Sequence, residues 1–529
     1  MSSGKFSSRE GRVLRLTKPR FKGILRIIFS RITFIALMII LQVVILVMLY
    51  MIFEEYVANI NSVMLVFSVL MVIYLYNSNM DSTSKLTWMM LIGLFPVPGA
   101  LFLGFTRLDF GSRKLKRNLI DMKERTRDKI PQDQSVIDKL EADGGNMEDL
   151  YRYMSRTGNY PVFENTSAKY YGDGSDFFER VLEDLEKAQK YIYIEYFIIA
   201  EGYMWGRTLD ILARKASEGV DVRVMYDGMC EIKLLPPDYP ERMSKLGIKC
   251  KEFSKIYPFI STYYNYRDHR KIFVIDGKVA YTGGVNFADE YINLEPRFGH
   301  WKDNAVRLEG DAVRSFTQMF LELWNISDSD PSFEQVEKFE SVKVDDASGF
   351  IMPFSDSPLD SYQAGEAVFL DTLGRSEKYV HIMTPYLIID DTMKNAMRLA
   401  AMRGVEVTLI LPGIPDKPAA YAIAKSHYSE LISAGVKIYE YTPGFVHAKA
   451  MICDGIRAMA GSINLDYRSL YHHFECAAYM YKCDVIADME KDFQETVKKC
   501  RKVTFETIKH EKIGYRLAAK LLKFVAPLM

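Results

Sequence analysis

The property that most restricts how this chain can fold is that it contains one pattern written twice. Gly219-Val-Asp-Val-Arg-Val returns as Gly404-Val-Glu-Val-Thr-Leu, 185 residues on (404 − 219). Gly247-Ile-Lys returns as Gly435-Val-Lys, at 188 (435 − 247). His269 is matched by His447 and Asn286 by Asn464, both at 178 (447 − 269 and 464 − 286). Ile194-Glu-Tyr-Phe-Ile likewise has a partner in Met383-Thr-Pro-Tyr-Leu. Self-similarity of this kind means one folding module used twice. The fall from 188 to 178 places ten extra residues in the first copy, between Gly247 and His269.

Within the first copy, Phe177, Phe178, Val181, Leu182, Leu185 and Ala188 recur at helical spacing, with Asp176 and Glu179 as a capping start. Residues 191–199 then read as a buried strand rich in Ile, Tyr and Phe. Alternation of this sort implies an α/β core with a mixed or parallel sheet. The modules are expected at 165–330 and 356–505, with linkers at 107–164 and 331–355.

Each copy carries a histidine and a lysine two apart on an extended segment, followed by an aspartate. The sets are His269, Lys271 and Asp276, and His447, Lys449 and Asp454. Alternate residues on a strand share a face, so imidazole and ammonium project together. Seventeen residues beyond each histidine lies an asparagine in a glycine-containing turn, Gly283-Gly284-Val285-Asn286 and Gly461-Ser462-Ile463-Asn464. Gly284 lets backbone approach a ligand, while Ser462, Asn286 and Asn464 offer hydrogen bonds, so these four are candidate substrate contacts.

Two such sets facing each other suit a phosphodiester. The ammonium groups and amides can hold the nonbridging oxygens and stabilise charge on five-coordinate phosphorus. One imidazole can attack phosphorus while the other protonates the leaving alcohol. That chemistry requires no cofactor and no metal, and no HExxH or carboxylate cluster in the sequence argues for one. The six cysteines form no CxxC pair and read as scattered thiols of a reducing compartment.

Upstream of the modules, residues 1–31 hold nine basic residues against the single acid Glu10. An uncharged run follows at 32–53, long enough to cross a hydrocarbon core of ~30 Å, and a second covers 57–76. With positive charge inside, 1–31 is a cytoplasmic arm and the Glu54–Glu55 connection lies outside. A third apolar run, 86–105, is interrupted by Gly93, Pro96, Pro98, Gly99 and Gly104. It is read as a re-entrant or interfacial hairpin, because a full crossing would carry the following basic stretch and both modules outside. The expected membrane region is therefore 32–106. Residues 506–529 form an amphipathic C-terminal segment suited to anionic lipid or to packing on the domain. The aromatic residues of the insertion, Tyr257, Phe259, Tyr263 and Tyr264, are read as touching bilayer or acyl chains, or as packed on their own domain.

The paired His-x-Lys-x4-Asp motifs resemble those of the phospholipase D superfamily. The stretches 265–277, 283–291 and 298–303, and in the second copy 384–386, 443–449 and 464–469, are similar to the bacterial cardiolipin synthase family in particular. The apolar runs and the basic arm are read as those of a multi-pass protein of the bacterial cell membrane with its catalytic domain on the cytoplasmic face, although the arm and the first run are less typical of the family. The resemblance implies an N-terminal transmembrane region followed by two phospholipase D-like α/β/α modules with a shared active site. It further implies that two phosphatidylglycerol molecules give cardiolipin and glycerol through a phosphohistidine, with His269 as nucleophile and His447 as acid/base. Glu475 lies twenty-eight residues past His447 (475 − 447), where the superfamily places a histidine-orienting carboxylate, and Asp303 is the corresponding candidate for His269. Asp276 and Asp454 are expected to support the site. The rival readings are a membrane phospholipase D that gives phosphatidic acid, transfer to another alcohol, and a non-catalytic membrane scaffold. A nucleic-acid substrate is disfavoured, since the formal net charge is zero and apolar segments precede the modules. Oligomeric state and acyl preference are not encoded in these patterns.

Overall fold

The computed structural model describes residues 12–16, 61–78, 80, 82–107, 110–255, 266–360, 362–510, 519 and 521–523, with scattered positions between 37 and 52. The first module is built on β1 (Thr166–Tyr171), β2 (Tyr191–Tyr196), β3 (Asp221–Asp227), β4 (Lys249–Phe253), β5 (Lys271–Ile275), β6 (Val279–Gly283) and β7 (Ala305–Gly310). The second uses β8 (Phe350–Asp356), β9 (Tyr379–Met383), β10 (Glu406–Pro412), β11 (Lys437–Tyr441), β12 (Ala450–Cys453), β13 (Arg457–Gly461), β14 (His473–Tyr481) and β15 (Cys500–Lys502). The first sheet runs β1-β7-β6-β5-β2-β3-β4, and the second repeats that order as β8-β14-β13-β12-β9-β10-β11, with β15 added at the edge. In each, three strands are parallel (β2-β3-β4 and β9-β10-β11) and the rest pair antiparallel. The mixed α/β expectation and the duplication therefore hold strand for strand.

Central strands read as continuous apolar runs because both faces are covered. All six residues of β2 are buried, Glu195 among them. The helix expected from the 177–188 spacing spans Gly174–Glu186, and its cap is not Asp176 but Asp173, which accepts from the Ser175 N–H at 2.7 Å. One apolar core crosses between the modules: Tyr193, Ile272 and Phe320 from the first share it with Ala460, Phe474 and Met480 from the second. Fully burying one of the larger of these, such as Ile272, Phe320 or Met480, contributes about 1.5–3 kcal/mol. The sheets are therefore held face to face, and the motif strands β5 and β12 lie at that seam.

The 107–164 stretch, expected as a linker, is mostly helical: α4 (Phe110–Thr126) is followed by Gln134–Asp143 and Met147–Gly158. α4 belongs to the first module, since Thr126 Oγ1 donates to Glu322 at 2.5 Å and Asn118 donates to the Ile326 carbonyl. Likewise β8 begins at Phe350, inside the expected second linker.

Of the expected membrane region, 32–53 lies largely outside the described residues. The second run is α1 (Asn61–Tyr76), with Leu65, Val66, Val69, Leu70 and Ile73 exposed. The third run is two helices, α2 (Ser82–Leu94) and α3 (Pro96–Arg107), breaking at Phe95, as the proline and glycine pattern requires. Gly99 permits the close fold, since a Cβ there would lie 3.0 Å from Ile92 Cα, and Trp88 meets Phe102 at 5.5 Å between ring centroids. No described helix is long and apolar enough to cross a membrane. The aromatic insertion (256–265) and most of the C-terminal amphipathic segment lie outside the described residues.

Part of the basic arm docks on the first module. The Leu14 N–H donates to the Gly206 carbonyl (3.0 Å), the Leu16 N–H to Glu201 (2.8 Å), and Arg242 to the Leu16 carbonyl (2.7 Å). Gly206 sits inside the Tyr203–Ser217 helix, where glycine costs about 0.5–1 kcal/mol. A Cβ at Gly206 would meet Val13 Cγ1 at 2.5 Å and the Leu14 carbonyl at 2.9 Å, so the missing side chain is the arm's seat. Gly206→Leu is expected to release the arm and speed tryptic cleavage after Arg12 and Arg15, with helical content retained. Cleavage at the wild-type rate would contradict the docking.

Candidate active site

Both motif histidines enter the seam on segments stitched to the opposite module. Arg267–Asp268 pairs parallel with the start of β14, and the His269 N–H donates to the Phe474 carbonyl at 2.9 Å. Reciprocally, Gly444–Val446 pairs parallel with His300–Lys302, and the His447 N–H donates to the Lys302 carbonyl at 2.7 Å. These crossings decide the carboxylate partners. His269 Nδ1 lies 2.9 and 3.0 Å from the two Glu475 oxygens, and His447 Nδ1 lies 2.7 Å from Asp303 Oδ2. The pairing implied by the resemblance is thus exchanged: Glu475 serves His269, and Asp303 serves His447. The reason is topological, because each carboxylate strand runs beside the other module's motif strand.

Lys271 Nζ donates to the His269 carbonyl at 2.6 Å, and Lys449 Nζ to the His447 carbonyl at 2.5 Å. Each ammonium is thereby folded beside its own histidine, and all four side chains are buried. Burial, followed by the charges of Lys271 and Lys449, holds His269 well below its ordinary value. His447 is pushed down to about 4 by burial and Lys449, against the opposing pull of Asp303. Burial also lowers Lys271 to about 8 and Lys449 to about 7, although Glu475 and Asp303 pull both upward. Burial acts to raise Asp303, but His447 and Lys449 outweigh it and keep the carboxyl below its usual range.

Asp276 and Asp454 do not reach this pocket, which corrects their grouping with the catalytic sets. Each occupies an Asp-Gly hairpin turn at the far end of its motif strand, with φ of 54° at Asp276, 68° at Gly277, 55° at Asp454 and 71° at Gly455. Aspartate tolerates that left-handed conformation. Its carboxylate collects three backbone N–H groups, from Gln189, Lys190 and Tyr191 in one copy and Glu377, Lys378 and Tyr379 in the other. They support the site through the fold.

Gly284 and Ser462 are also reassigned. A Cβ at Gly284 would lie 2.0 Å from Asp303 Oδ1, so the glycine admits the carboxylate and not a ligand. Ser462 Oγ donates to Glu475 Oε2 and accepts from the Cys476 N–H, so it anchors that carboxylate. Asn286 is engaged on both sides, by the Tyr291 hydroxyl and the Ile198 N–H, whereas Asn464 Oδ1 is buried without a hydrogen-bond partner among the described residues.

Sequence reasoning missed several groups that shape the pocket. Trp301 Nε1 donates to Asp303 Oδ2 and the Asn304 N–H to Asp303 Oδ1. Asn304 also exchanges two hydrogen bonds with the Lys449 backbone. Phe197 packs 5.0 Å from His269, and Tyr291 packs 5.4 Å from His447. Arg270, one residue from His269, is buried against Glu195 at 2.6 Å and Asp268 at 3.5 Å. The alternation Asp268-His269-Arg270-Lys271 was the available signal, since it places a second charged pair on the strand's other face.

The fold and pocket define a class: a duplicated α/β protein in which two histidine–lysine sets complete one buried site between the copies. A family model described as "Cardiolipin synthase, PLD-like domain" matches residues 181–324 and 369–497. The chain is 31% identical to a cardiolipin synthase of Alkalihalophilus pseudofirmus, over 88% of this chain and 93% of that protein. It is 51% identical to an uncharacterised protein of Streptococcus mutans, over 87% and 99%. A phosphatidylserine synthase of Haemophilus influenzae, 17% identical, shares the fold with a TM-score of 0.53 over 72% of this chain and 97% of that one. The chain belongs to the cardiolipin synthase family, with two PLD-like domains.

Two outcomes follow from this geometry. Asp454→Ala, which removes three charged hydrogen bonds and an αL-tolerant residue, should cost about 2–4 kcal/mol in unfolding, with Asp454→Asn milder. Both lysines carry charge only below their lowered values, so phosphate affinity should fall as pH rises through about 7 to about 8. A bound phosphate anion restores the charge. In pH profiles, kcat/KM should therefore decline across that window while the kcat limb lies higher. A flat kcat/KM there would contradict the lysine assignment.

Proposed function

We propose that the chain joins two phosphatidylglycerol molecules into cardiolipin and glycerol at the membrane, through a phosphohistidine. The observation that carries this reading is the pair of buried imidazoles, each bound to the other module's carboxylate, beside two buried ammonium groups. With both histidines neutral, Lys271 and Lys449 balance Glu475 and Asp303. An arriving phosphodiester anion breaks that balance and favours one added proton, which makes one histidine an acid while the other stays a nucleophile.

His269 attacks phosphorus, and the phosphorus–oxygen bond to the first glycerol breaks as His447 gives that oxygen its proton. The phosphatidyl group then rests on His269. A headgroup hydroxyl of the second phosphatidylglycerol loses its proton to His447 and attacks the same phosphorus. The phosphorus–nitrogen bond breaks, and cardiolipin leaves. The unpartnered Asn464 Oδ1 is an acceptor suited to a glycerol hydroxyl. His269 Nδ1 and His447 Nδ1 are committed to carboxylates, which directs Nε2 of each ring to the chemistry.

Attachment is to the bacterial cell membrane through the apolar segments before residue 107, with anionic lipid as the surface recognised. The contacts of residues 14–16 with the first module support a reading in which arm and modules share one side, which calls for an even number of crossings between them. Two spans, at 32–53 and 57–76, and a re-entrant α2–α3 hairpin satisfy that count, with the modules cytoplasmic.

The test is lipid analysis after incubation with labelled phosphatidylglycerol vesicles. Cardiolipin with released glycerol is expected, whereas phosphatidic acid as the main product would make the chain a hydrolase. His269→Ala and His447→Ala should each reduce turnover to background, and rapid acid-free quenching should find the label on His269. Substantial activity in either variant would refute the joint site.

A further inference from the structure

We infer that His269, His473 and Glu475 form a binding site for a divalent cation of the zinc type, which blocks the lipid reaction by occupying His269. β14 puts His473 and Glu475 two residues apart, so both side chains emerge on one face. The neighbouring segment brings His269 against them. Glu475 Oε1 lies 2.9 Å from His269 Nδ1 and 3.7 Å from His473 Nδ1, and one donor atom from each of the three residues falls within 4.8 Å of the others. A four-coordinate zinc ion with bonds of about 2.0–2.2 Å needs ligand separations of roughly 3.3 Å, so the 2.9 Å His269–Glu475 pair has to open slightly and the 3.7 Å His473–Glu475 pair to close slightly.

A second observation points to a ligand. Among the described residues neither ring nitrogen of His473 has a partner within hydrogen-bond distance, Glu475 Oε1 lying 3.7 Å from Nδ1, although the residue is buried between the pocket and the ring of Phe197. An unpaired buried polar group costs about 1–3 kcal/mol, and nothing in the phosphohistidine scheme uses this imidazole. Ser462 donates to Glu475 Oε2, so a cation bound at Oε1 would take the place of the His269 hydrogen bond there. Two imidazoles and a carboxylate leave a fourth place for water or an anion, a donor set typical of open zinc sites. The nearby ammonium groups of Lys271 and Lys449 oppose a dication, whereas Glu475 and Asp303 favour it, so occupancy should be reversible by chelators. Coordination would sever the His269–Glu475 hydrogen bond and withdraw the nucleophile's lone-pair density.

The experiment uses the full chain in detergent, stripped by chelator and titrated with Co²⁺ alone. The expected result is the intense visible absorption of four-coordinate cobalt at one ion per chain, displaced by Zn²⁺. His473→Ala should lose the band and bind at least about tenfold more weakly. His510→Ala, at an exposed histidine, should match the wild type. Near-ultraviolet circular dichroism and His473→Gln guard against a folding defect. Zn²⁺ should slow lipid turnover in the wild type, and His473→Ala should resist it relative to its own metal-free rate. Absence of the cobalt band in the intact chain, or equal binding and inhibition in His473→Ala, would overturn the site. If the band forms but metal-free protein makes no lipid product, the proposed function fails and the cation site stands.

Discussion

Everything in the pocket depends on an exchange of partners across the seam: an imidazole from one module is held by a carboxylate from the other. Glu475 and Asp303 are both fully buried. A buried carboxylate without its partner costs several kcal/mol. Separating the modules would strand both carboxylates as well as exposing the shared apolar core. Docking of the two copies is therefore fixed by the same groups that orient the histidines. Neither copy is a site alone, which is why the duplication has to be read as one unit.

How much of this was legible in the chain follows from the range of each interaction. The repeat, the strand-borne His-x-Lys pairs and the α/β alternation are local patterns, and the structure reproduces them. The carboxylate partners are not local. Glu475 follows His447 in sequence and so suggests pairing within one copy, yet β14 runs beside Arg267–Asp268 and delivers it to His269. Nothing in the spacing encodes that adjacency. Asp276 and Asp454 carried a readable signal that the motif obscured, since Asp followed by Gly between two strands marks a tight hairpin turn. The 107–164 stretch carried a signal that went unread, since Leu115, Leu119 and Met122 on α4, and Met147, Leu150 and Met154 further on, recur at helical spacing and are buried.

The membrane region shows the same division. Its prolines and glycines foretold the break at Phe95, which is a local steric matter. Exposed Leu65, Val66, Val69, Leu70 and Ile73 on α1 leave an apolar surface that no described part of the chain covers. A surface of that kind is stable against lipid. The docked arm ties the segment before the apolar runs to a module after them, a contact far too long in range for hydropathy to encode.

The two halves of the site are equivalent in topology but not in chemistry, and the inequality bears on which histidine attacks. Aspartate is one methylene shorter than glutamate, so Asp303 must approach its histidine closely, and Gly284 is the residue that lets it. Glu475 reaches further and leaves room for Ser462 in the equivalent place. Asp303 is held ionised by Trp301, by the Asn304 N–H and by His447 itself, which makes it a strong stabiliser of an imidazolium. Glu475 divides its oxygens between His269 and a neutral serine hydroxyl. Of the two rings, His447 thus has the better-buttressed counter-charge, suited to holding a proton between two lipid substrates. In the proposed reaction His269 is then the ring left neutral, which is the form that can attack phosphorus.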